Sequence, residues 1–133
     1  LIDLGQSDEA QTHLHDALAV FEREFGADHY EVAVIAGNLG TLAQRRGELD
    51  DAARWHERAL AVKEAALGQS HPEVAISLNN LGVVRRRQSR LPEAAELYRR
   101  AVSVLEGGVA PDHPTLAAVR RNLAKVEAAL SPP

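Results

Sequence analysis

The 133-residue chain has no cysteine and no methionine. The first absence excludes disulfides, thiolate metal sites and cysteine nucleophiles. The second leaves Leu1 as the first residue, which points to an excised or processed chain. Aromatic residues make up 4% of the chain, too few to stack the bases of a single-stranded nucleic acid. The net charge is −4, so the broad basic field of a nucleic-acid binder is missing too. Arg85-Arg86-Arg87 and Arg120-Arg121 are the basic runs on which RNA binding would have to rest, and nucleic acid is not the expected partner. No apolar run approaches the roughly 18 residues of a membrane span, and no signal peptide opens the chain. The expectation is a cytoplasmic protein with no membrane partner. What is present is 45% apolar and 26% charged residues, enough for the core of one compact domain of this length.

The chain repeats itself every 42 residues. His29, His71 and His113 stand at that spacing. Asn38, Asn80 and Asn122 follow in register, as do Leu39, Leu81 and Leu123. Gly40, Gly82 and Ala124 are all small. Ala10, Ala52 and Ala94 agree, then Ala17, Ala59 and Ala101, then Glu22, Glu64 and Glu106. A fixed period of this length marks a stacked architecture, in which each repeat buries its apolar face against the next.

Each period holds two helical stretches. The first predicted helices run over about 31–45, 73–88 and 115–130; the second run over about 6–24, 49–66 and 92–105. Ser70-His71-Pro72-Glu73 reads as a capping box, with Ser70 accepting from a free N–H and Glu73 reaching back. Asp28 and Asp112 are expected to cap in the same place. Pro72 and Pro114 suit a first turn, where the missing N–H has no helical partner. Gly47 and Ser89 join the helices of a pair, whereas Gly26, Gly68 and Gly107-Gly108 are expected to end the second helices. A glycine inside a helix costs up to about 1 kcal/mol relative to alanine, so Gly40 and Gly82 imply a close neighbouring helix. Ala52 and Ala94 are expected to offer the facing small surface, with Ala10 as their counterpart.

These residues resemble a tetratricopeptide repeat of the 42-residue kind found in kinesin light chains. The carrying stretches are His71-Pro72-Glu73-Val74-Ala75, Leu78-Asn79-Asn80-Leu81-Gly82, Pro92-Glu93-Ala94-Ala95 and Tyr98-Arg99-Arg100-Ala101. The resemblance covers essentially the whole chain. It implies an all-α, right-handed α-solenoid of stacked antiparallel helix pairs, about six helices in one domain over 1–133. The divisions would be a half repeat 1–27, repeats 28–69 and 70–111, and a capping helix 112–133 with the apolar stripe Leu116, Val119, Leu123, Val126 and Leu130. His56 departs from the pattern where Tyr98 sits, and Arg85 and Glu127 stand where an aromatic is common. The resemblance also implies a non-catalytic scaffold that binds an extended peptide on its concave wall. The groove positions it assigns are Asn38, Thr41 and Arg45, then Asn79, Asn80, Val83, Arg86 and Arg87, then Arg121, Asn122 and Lys125.

The asparagines have a physical logic. One amide both donates and accepts, so it can satisfy a peptide N–H and C=O together. Packed helices lie about 8–10 Å apart and an extended chain advances about 3.3–3.6 Å per residue, so one asparagine per repeat meets about every third ligand residue. The alternative is that the amides bridge neighbouring helices, since buried polar groups need partners either way. Charge adds a preference. Residues 1–70 are net −7 and residues 71–133 net +3, and Arg86, Arg87, Arg121 and Lys125 fall on the proposed groove. Guanidinium forks suit carboxylates, so an acidic ligand is expected; a merely solvated basic face is the alternative.

The six histidines are not spaced as metal ligands, no HExxH occurs, and no metal or cofactor is expected. There is no Gly-rich phosphate loop and no clustered nucleophile and base, so no enzyme is expected. Two further readings stand beside the scaffold. In one, the chain is the C-terminal sensor of a larger bacterial signalling protein, a nucleotide-switch ATPase or an effector. In the other, it self-associates through an N-terminal helix face bearing Leu14, Leu18, Phe21 and Phe25.

Overall fold

The computed structural model describes residues 4–131. Among them are six α-helices and no strand: α1 (Leu4–Phe25), α2 (Tyr30–Arg45), α3 (Leu49–Leu67), α4 (Pro72–Arg87), α5 (Leu91–Gly108) and α6 (Pro114–Leu130). The chain divides into two compact units, Leu1–Ala66 and Leu67–Pro133.

The repeat fixes where helices begin, but the capping residue is not the expected one. Ser70, Asp28 and Asp112 do not cap. The N-cap positions are His29, His71 and His113, all with extended backbone. Each imidazole Nδ1 accepts from the backbone N–H two residues on, at 3.1 Å in all three: Glu31, Glu73 and Thr115. An N-cap side chain satisfies one of the orphan N–H groups of the first turn, and an imidazole does this as an oxygen would. Pro72 and Pro114 follow in the first turn.

In the first unit, Leu18 of α1 and Val32, Ile35 and Leu39 of α2 form a core, with Leu14, Ala17, Phe21 and Trp55 packed against it. Burying such side chains is worth about 1.5–3 kcal/mol each. That corrects the reading of α1 as an open apolar face: of the four residues assigned to it, only Phe25 stays mostly exposed, at 57%. The partner of Gly40 is also different from expectation. A Cβ there would lie 2.8 Å from the His56 ring, so the glycine makes room for an imidazole of α3. Ala10, on α1, is exposed.

The second unit follows the same rule. A Cβ on Gly82 would come within 2.6 Å of the Tyr98 ring. Tyr98 is fully buried, with Leu78, Val84 and Leu105. Helix α5 packs on both α4 and α6. Leu116, Val119 and Val126 of α6 are buried, while Leu123 is half-buried and Leu130 is exposed. Two ion pairs join α6 to α5: Arg120 to Glu106 at 2.8 Å and Arg99 to Glu127 at 3.4 Å. Gly26 and Gly68 end their helices with positive φ. Gly107 and Gly108 do not; α5 runs through both, and a Cβ on Gly108 would meet Pro72 at 3.3 Å.

Candidate peptide-binding face

Helix periodicity sets which residues share a side. On α4, Asn79, Asn80, Val83, Arg86 and Arg87 fall on one side. The asparagines and Val83 are half-buried and the two arginines exposed. Ile76 lies one turn before Asn80 on that side and is 43% exposed. It is not among the expected groove positions, although its signal is legible in the sequence: an isoleucine out of phase with the buried Val74, Ala75 and Leu78. On α6, Arg121 and Lys125 are exposed and Asn122 is half-buried. In the first unit, α2 carries Asn38 and Arg45, both exposed, and Thr41, half-buried. The Thr41 hydroxyl donates to the Gly37 carbonyl at 3.1 Å, so its proton is spent inside its own helix.

The structure brings two of the asparagines together. Asn122 Nδ2 donates to Asn79 Oδ1 at 3.0 Å and ties α6 to α4. The register pairs Asn122 with Asn80, so the contact is one residue off the repeat. It uses one donor of Asn122 and one acceptor of Asn79, and the amide groups opposite these are not used by that bond. Nearby, Arg86 approaches the buried hydroxyl of Tyr98. Burial pushes that hydroxyl above its ordinary range, and the Arg86 charge pulls the other way. No well-formed hydrogen bond reaches the hydroxyl, so burial dominates. Arg85 is committed elsewhere: it donates to Gln88 at 3.0 Å and pairs with Glu93 at 3.6 Å.

A hollow of about 400 Å³ in the first unit is lined by Asp51, Arg54, Trp55 and Arg58. Both of its arginines are paired, Arg54 with Asp51 in the lining and Arg58 with Glu22 of α1 at 3.1 Å. Trp55 meets the His15 ring edge-on at 5.6 Å. Among the described residues there is no group of three acids or histidines placed to hold a metal ion, and no helix long and apolar enough to cross a membrane.

The tetratricopeptide repeat family model matches residues 1–65, 31–107 and 73–131. The chain belongs to the tetratricopeptide repeat family. Similar solved structures refine the kind. BtubC (BKLC) of P. vanneervenii superposes with a TM-score of 0.88 at 23% identity, over 95% of this chain and 50% of that one. Kinesin-light-chain TPR-like repeats of Podosopora anserina give 0.85 at 23% identity, over 95% and 60%. The Sgt2 TPR domain of Aspergillus fumigatus gives 0.56 at 17% identity, over 96% and 85%. The chain therefore spans half to three-fifths of the first two relatives. No curated protein matches it. The fold is an all-α TPR solenoid of kinesin-light-chain-like type, and such repeats serve in general as non-catalytic protein-interaction scaffolds.

Proposed function

We propose that this chain binds an extended, acidic peptide segment without catalysing any reaction. The face used in the second unit is formed by Asn79, Asn80, Val83, Arg86 and Arg87 of α4 and Arg121, Asn122 and Lys125 of α6. In the first unit Asn38 and Arg45 of α2 supply the amide and the guanidinium, and Thr41, whose hydroxyl proton is held by Gly37, supplies an acceptor between them. The observation that carries the reading is the Asn122–Asn79 bridge at 3.0 Å, bordered by exposed Arg86, Arg121 and Lys125. The bridge fixes the amides, so they are pre-organised to meet a peptide backbone at little entropic cost. The guanidinium and ammonium groups around it favour carboxylates. Ile76, exposed on the same side of α4, adds an apolar contact for one ligand side chain.

Labelled decapeptides graded from acid-rich to lysine-rich test this by fluorescence anisotropy. Acid-rich peptides should bind most tightly and weaken as salt rises, because exposed charges are screened. The Arg86→Ala, Arg121→Ala, Lys125→Ala variant should lose at least tenfold in affinity for them. Equal binding across the charge series, or an unaffected variant, would remove the face from consideration.

A further inference from the structure

His56 is the one fully buried imidazole among the described residues, at 1% exposure. Its ring lies on the Gly40 backbone, close enough that a Cβ there would sit 2.8 Å away. Neither ring nitrogen has a hydrogen-bond partner. In the second unit the same register place holds Tyr98 over Gly82, a ring that takes no proton.

We propose that His56 is an acid-sensitive latch, and that its protonation opens the α2–α3 pair while the Tyr98-sealed α4–α5 pair stays closed. Among the described residues, no carboxylate acts on the ring. On α2, the residues one turn either side of Gly40 are the buried Ala36 and Ala43, and the ionisable Tyr30, Glu31 and Arg45 lie at its two ends. On α3, the charge acting on the ring is that of Lys63, two turns on, and it has the same sign as an imidazolium. On α1, Glu22 is held by Arg58 and His15 lies against Trp55. An unpaired buried cation costs several kcal/mol, so the proton enters only where the ring reaches water.

Burial, with a smaller push from Lys63, lowers the His56 pKa from 6.5 to about 4. The sign follows from linkage. Between those values the open, solvated ring binds a proton and the closed ring does not, so the closed state loses stability as pH falls from 6.5 to about 4 and levels off below. The latch is fully set above pH 6.5. The inference stands apart from the peptide-binding reading, because it needs no ligand.

Amide hydrogen exchange by NMR on the whole chain tests it, corrected for intrinsic rates between pH 7 and 4.5. The opening constants of α2 and α3 amides should rise up to about tenfold per pH unit below 6.5, with a shallower rise in α4 and α5. His56→Tyr should flatten the α2–α3 response, and Tyr98→His should create one in α4–α5. A titration of the His56 imidazole signal in the wild-type chain, read in parallel, should fall well below the ordinary histidine value and needs no variant to fold. Equal pH slopes in the two helix pairs would overturn the proposal. So would an unchanged slope in folded His56→Tyr, or a His56 signal titrating near 6.5.

Discussion

A histidine serves as an N-cap only through an unprotonated Nδ1, and this chain uses that device three times at the same 3.1 Å distance. The residue just before each histidine, Asp28, Ser70 or Asp112, has the chemistry expected of a cap but stands one place too early. Another residue-scale finding concerns the turns inside each helix pair. Gly47 sits at φ +78°, and Ser89, 42 residues later, sits at φ +63°. The left-handed region costs a residue with a Cβ about 1–2 kcal/mol, and glycine much less. Ser89 is exposed, so no packing depends on its side chain. Ser89→Gly should therefore stabilise the chain by about 0.5–1 kcal/mol, after the extra freedom glycine gains when unfolded. Urea denaturation should show this as a raised midpoint with an unchanged slope; a lowered midpoint would mean that the serine side chain holds the turn.

At the scale of the element, the governing contact is a ring laid on a glycine. Helices α4 and α5 meet where Tyr98 covers Gly82, and the tyrosine is fully buried. Gly82→Ala gains helix propensity of up to about 1 kcal/mol, yet it drives a methyl group to 2.6 Å from an aromatic carbon that has nowhere to go. Overpacking of this kind costs about 1–3 kcal/mol, so the net effect should be destabilising. The sign should reverse beside Tyr98→Leu, where the ring is gone and only the propensity gain remains. A double-mutant cycle measures that coupling directly, and additive effects would show that the ring is not what the glycine accommodates. This contact also shows what a sequence can reveal at this scale. Gly40 and Gly82 in register announce a close approach, and the helices follow from breaks that recur every 42 residues. What lies on the glycine is not announced, because the partner comes from another helix whose rotation the period does not encode. The same gap explains why Asn122 meets Asn79 rather than Asn80: repeats align residues of equal rank, whereas two helix surfaces meet with an offset. It also explains α1. Leu14, Leu18 and Phe21 read as an open face until α2 is laid against them.

At the scale of the whole molecule, a repeat array is a sum of local stabilities with nearest-neighbour terms, so its parts need not melt together. The two compact units here have different titration behaviour built in. One seals a helix pair with His56, the other with Tyr98. The chain has a single tryptophan, and Trp55 sits beside His56 in α3, packed on the core of the first unit. Its fluorescence therefore reports on the first unit, whereas far-UV circular dichroism sums over all six helices. The two probes test whether unfolding is a single transition. With His56 lowered to about 4, acidification from pH 7.5 to 5 weakens the first unit selectively. The urea midpoint seen by Trp55 should then fall further than the midpoint seen by circular dichroism, by an amount that His56→Tyr removes. Two midpoints that move together through this range would mean that the units share one cooperative transition and that His56 does not set the first unit apart.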